Sequence, residues 1–150
     1  MAAHPNGKRH LQVSAGALVR RTDIAAPPTI EADTAWRLLY QELFDFAPDA
    51  HVLTDTDGVI RAVNHAAGDM LRARKEFMVD KPLSFFIAPS DWASYYHWLL
   101  RVRAGQTDAL TDRPLRVRPA QGPDRSMMVH VAAFADGHGP GRMLRWQLRR

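Results

Sequence analysis

Apolar residues Trp36, Leu39, Tyr40, Leu43 and Phe44 fall at i, i+3, i+4, i+7 and i+8, tracing one stripe along an α-helix. Pro48 ends that pattern. The period then changes from helical to alternating, which predicts two strands at residues 50–54 and 59–63. Asp55-Thr56-Asp57-Gly58 joins them as a turn: Gly58 accepts a positive φ, and the two aspartates can bond nearby amides. Asn64 is placed to cap a short helix over residues 65–71, since its side chain can accept a first-turn amide.

Residues 74–88 predict one or two brief helical turns, interrupted at Pro82. A clearer helix starts at Ser90 or Asp91, runs to about Val102 and closes at Gly105. Beyond it the period returns to two. Strands are expected at residues 115–118, 126–134 and 143–148, with loops at 120–125 and 135–141. Strands at both ends with helices between them indicate an α+β fold, one antiparallel sheet with helices on one face. No internal repeat is visible.

Composition adds limits. With 150 residues, 46% hydrophobic and 24% charged, the chain has room for one folded domain and a tail. No apolar run reaches the ~20 residues that cross a bilayer, and residues 1–13 lack the apolar segment of a secretory signal. Cysteine is absent, which removes disulfides, thiolate metal sites and cysteine nucleophiles. These features fit a cytoplasmic protein without membrane attachment. The net charge of +4 is terminal: residues 1–30 carry +3, residues 142–150 carry +4, and the body between them is mildly acidic. No base-reading motif accompanies the terminal arginines, so nucleic acid is not an expected partner. Residues 1–28, rich in Ala, Gly, Pro and charge, read as a flexible basic arm, followed by an amphipathic helix over 29–48 and the domain proper over 49–150.

The segment ELFDFAPDAHVLTDTDGVIRAVNHAA resembles the opening of a PAS sensory domain. The matching positions are Ala47, Pro48, Asp49, Thr54, Asp55, Gly58, Ile60, Val63, Asn64 and Ala66. Further on, Lys81-Pro82-Leu83 and Pro89-Ser90-Asp91 resemble two later segments of the family, and the last three expected strands fall where the family places its own. The resemblance covers about residues 36–148. It implies a PAS-like five-stranded antiparallel sheet with helices on one face, an N-terminal amphipathic helix, and a small apolar cavity under the helices. Such domains sense a ligand, light or redox state, or bind proteins, and commonly dimerise through the flanking helix and outer sheet face.

The chain departs from the family pattern in three ways. It lacks the cysteine that bonds flavin in the light-sensing branch, so that photochemistry is excluded. Trp146-Gln147-Leu148-Arg149-Arg150 stands where the family's Asp-Ile-Thr output signal would fall, and there is no second PAS copy. The expectation is therefore a module that hands its signal to a separate polypeptide.

Phe77, Phe85, Phe86, Tyr95, Tyr96, Val117, Val129 and Val131 could line the implied cavity and hold a small, flat apolar ligand. The default is that they fill it, since cavities cost stability. Trp36, Leu39, Tyr40, Leu43 and Phe44 are the expected homodimer interface, because aromatic residues are enriched in interface cores; alternatively they pack on their own domain. His97 invites a haem reading, because haem-binding relatives carry a ligand on this helix. At about 100° per residue it lies about 160° from the centre of the helix's apolar arc of Trp92, Tyr95, Tyr96, Trp98, Leu99, Leu100 and Val102, and so points to solvent. His51 and His130 sit on strands, with no metal-type spacing among the histidines, and no metal site is expected. No G-x-S-x-G, H-E-x-x-H or phosphate-cradling glycine loop occurs, so no catalytic residues and no enzyme are expected. The expected function is a non-catalytic sensory or protein-interaction module without a cofactor. The alternative is a redox or gas sensor holding haem or flavin non-covalently, and a third reading is a plain scaffold.

Overall fold

The computed structural model describes residues 30–106, 109–135 and 141–150. The expected N-terminal arm, 1–28, and most of the loop at 135–141 lie outside the described residues. The chain divides after Leu39 into two units. Helix α1, Ile30–Asp45, begins in the first and ends in the second.

The second unit is built on a five-stranded antiparallel sheet. Its strands are β1 (Ala50–Asp55), β2 (Ile60–Val63), β3 (Ala109–Val117), β4 (Arg125–Ala135) and β5 (Arg142–Arg149). Their order across the sheet is β2-β1-β5-β4-β3, so the last strand is inserted at the centre. Between β2 and β3 the chain makes α2 (His65–Leu71), α3 (Lys75–Met78), 3-10 turns at Leu83–Phe86 and Pro89–Asp91, and α4 (Trp92–Arg103).

The β1–β2 turn forms by the expected chemistry. The Asp55 carboxylate accepts the amides of Asp57 and Val59 at 2.9 and 3.0 Å, and Gly58 takes φ +83°. A second constraint acts on Gly58, because a Cβ there would stand 2.5 Å from the Tyr95 hydroxyl of α4. Asn64 caps α2 by accepting the Ala67 amide at 3.0 Å, and does more. The same oxygen accepts the His51 amide at 2.9 Å, and its Nδ2 donates to the Asp49 carbonyl at 2.8 Å. One buried amide thereby ties the start of β1 to the end of β2 and to α2.

Two local expectations need correction. Residues 115–118 were bounded by prolines in the sequence pattern, but β3 begins at Ala109 and runs through Pro114, which pairs with Met128. β3 is an edge strand, where the missing N–H of proline can face outward without breaking the ladder. A register shift between Leu110 and Arg113, with Asp112 at φ +50°, absorbs the irregularity. The other correction concerns α4. Of its apolar arc only Tyr95, Leu99 and Val102 are buried, while Trp92, Tyr96 and Leu100 are exposed. The helix meets the sheet along a narrower strip than its composition implies.

The core lies between the sheet's inner face and the helices. Val52, Leu115, Val117, Met127, Val129, Val131, Leu144 and Leu148 alternate inward, meeting Ala67, Leu71, Met78, Phe86, Leu99 and Val102.

Candidate functional site

The space between sheet and helices is where the family resemblance places a cavity. Its centre is Trp146 of β5, fully buried on the central strand. Its indole Nε1 donates to Thr54 Oγ1 of β1 at 2.9 Å, so this buried polar atom is satisfied. Its ring meets the Tyr95 ring of α4 at a centroid separation of 5.2 Å. Burial, chiefly, pushes the Tyr95 phenol well above its ordinary pKa, holding it neutral. Trp146 is not among the residues expected to line the cavity, although the alternation of Leu144, Trp146 and Leu148 places it on the inner face.

The eight expected pocket residues divide between core and surface. Phe86, Tyr95, Val117, Val129 and Val131 are buried in the core. Phe77, Phe85 and Tyr96 are exposed. Phe77 and Phe85 pack edge to face at 6.1 Å on the surface, with the Lys81 ammonium 4.0 Å above the Phe77 ring. Trp92 is also exposed, its Nε1 donating to the carbonyls of Ser84 and Ile87. One surface cleft, of about 660 Å³, runs along α2 and α3 past Arg72, Arg74 and Gln121. Another, of about 540 Å³, lies between Asp49, Met70 and Arg149. None of the eight lines either cleft.

His97 is exposed on α4, on the side its projection assigns. Trp146, Tyr95 and Phe86 are buried in the core between sheet and helices. Among the described residues no group of three or more His, Asp and Glu side chains could hold a metal ion.

Of the α1 stripe, Trp36 and Leu39 in the first unit are 54% and 44% exposed. In the second, Tyr40 and Leu43 are 64% and 60% exposed, and Phe44 is half-buried against the His51 ring at 6.3 Å. On the outer sheet face Met128 and Phe134 are exposed, and His130 is half-buried. His51, on that same face, has its Nδ1 buried without a hydrogen-bond partner among the described residues.

A five-stranded antiparallel sheet in the order β2-β1-β5-β4-β3, with short helices packed over one face, defines the class: an α+β fold built on one antiparallel sheet. Residues 38–149 match the family model described as PAS fold, and the chain belongs to the PAS family. Comparison with curated proteins found no match. Among solved structures, a PAS domain from a two-component sensor histidine kinase superposes with a TM-score of 0.67 at 17% identity, covering 78% of this chain and 97% of that one. A domain of a sensory box sensor histidine kinase/response regulator from Geobacter sulfurreducens gives 0.63 at 16% identity, covering 77% and 94%. The PAS domain of a LuxR-family transcriptional regulator from Burkholderia thailandensis, in complex with ethanol, gives 0.57 at 17% identity, covering 73% and 96%. No helix among the described residues is long and apolar enough to cross a membrane.

Proposed function

We propose that this PAS domain is a non-catalytic sensory and protein-interaction module that passes its signal through α1, in a homodimer and onward to a separate partner protein. The observation that carries this reading is the exposure of Leu39 and Leu43, 44% and 60%, on the same helical stripe. Burying two leucines at an interface removes apolar area from water at ~25 cal/mol per Å². The exposed Met128 and Phe134 on the outer sheet face extend the same kind of surface. The signal acts as a population shift: whatever binds one packing of α1 more tightly than another moves the equilibrium by that difference. The filled centre around Trp146 and Tyr95 supports a domain that works without a bulky cofactor between sheet and helices.

Sedimentation tests the interface. Wild-type protein is expected at the dimer mass, and Trp36→Glu combined with Leu43→Glu at the monomer mass. An unchanged mass in the double variant would remove α1 from the interface.

A further inference from the structure

His51 is an odd residue at an informative place. Its backbone is clamped on both sides: the amide donates to Asn64 Oδ1 at 2.9 Å and the carbonyl accepts the Asn64 amide at 3.1 Å. The ring projects from the outer face of the sheet, because Ala50, Val52 and Thr54 alternate inward. There it meets Phe44, one residue before the end of α1. Its Nδ1 is buried and bonds to nothing among the described residues.

A neutral imidazole tolerates this arrangement. With its proton on Nε2, an unbonded Nδ1 leaves only a lone pair without a donor. The protonated ring is different, because Nδ1 then carries an N–H that needs an acceptor and finds none. Groups from each neighbouring element bear on this. β5 contributes the Arg145 cation and Gln147, which pairs with His51. Asp49, just before β1, is the nearby anion, but its carboxylate is engaged by Gln147 Nε2 at 2.6 Å. β2 ends at Val63 and is followed by the uncharged Asn64, and His130 of β4 lies one strand further, also opposite Gln147. From α1 comes the Phe44 ring, while Asp45 is held by Lys75 at 2.6 Å.

We propose that His51 is a proton-operated latch, in which proton uptake at Nδ1 releases the Phe44 end of α1 from the sheet. Once Phe44 lifts, water reaches Nδ1, or the ring turns toward Asp49. Burial and then Arg145 lower the His51 pKa below 6.5, against a smaller opposing effect from Asp49. A lowered value in the closed form means the latch is fully closed above 6.5 and weakens as pH falls through 6.5 toward the closed-form value. Each unit by which the pKa rises on release corresponds to about a tenfold change in the latch equilibrium. The inference rests on α1 as the reporting element and adds a proton as the signal.

The test is an NMR pH titration of the intact chain, following the His51 ring and the protection of the Phe46 and Ala47 amides, which bond back to the Glu42 and Phe44 carbonyls. Protection of both amides is expected to fall on acidification in step with the His51 titration, while β5 stays protected. In His51→Gln that pH dependence should disappear. In Phe44→Ala, which spares β1, the His51 titration should rise toward 6.5. Equal acid loss in His51→Gln, or His51 titrating without change at Phe46 and Ala47, would overturn the latch. All readouts come from a single chain. A monomeric protein with an acid-released helix end would therefore sink the dimer reading and leave this one standing.

Discussion

The Trp146 indole N–H and the Thr54 hydroxyl share a 2.9 Å hydrogen bond across adjacent strands, and both side chains are fully buried. Neither group can reach water, so each depends on the other for its polar partner. The bond also fixes which way the largest side chain of the core lies, and Tyr95 packs on the ring so placed.

Trp146→Ala should therefore cost about 3–5 kcal/mol, the usual range for emptying an aromatic core site. Thr54→Val keeps the shape but strands the indole donor, at about 1–3 kcal/mol. Urea denaturation of both variants measures this. A Thr54→Val protein as stable as wild type would mean that the bond does not matter.

Gly58 carries two separate constraints, a positive φ and the nearby Tyr95 hydroxyl. Gly58→Ala should lose more than about 1 kcal/mol. Adding Tyr95→Phe removes the atom 2.5 Å from the new Cβ and should recover part of that loss, while the backbone cost remains. Strictly additive losses in a double-mutant cycle would contradict the close approach.

Asn64 makes three side-chain hydrogen bonds from a buried position, so Asn64→Ala should cost about 2–4 kcal/mol, more than a lone cap. Asn64→Asp keeps both acceptor contacts but sets an oxygen against the Asp49 carbonyl, and should not restore full stability. Thermal unfolding of the pair separates capping from stapling. A fully stable Asn64→Asp protein would show that the Asp49 contact is dispensable.

Protein purified without added cofactor should show only aromatic absorption. A Soret or flavin band would mean that Trp146 and Tyr95 move aside for a ligand, and would replace the cofactor-free reading with the haem or flavin alternative.

Much of the fold was legible along the chain. The α1 stripe, the Asp55–Gly58 turn, the Asn64 cap and the alternation of β4 and β5 are local patterns, set by neighbours a few residues apart. The departures are non-local. Pro114 marks a strand boundary only if β3 is flanked on both sides, and its place at the sheet edge depends on pairing with a strand that comes later in the chain. Phe77, Phe85 and Tyr96 read as pocket residues because their composition is apolar, and periodicity does not say which part of an apolar arc a sheet will cover.

The sequence by itself determined the α+β order of elements and carried the resemblance to PAS domains, because turns, caps and alternation are written in short-range steric and hydrogen-bonding preferences. Only the tertiary structure decided what occupies its centre and where its surface chemistry lies. Thr54 and Trp146 stand 92 residues apart and meet only because β5 inserts beside β1. His51 is an ordinary strand histidine until Phe44 and Arg145 surround it, since desolvation and charge act through space and not along the chain.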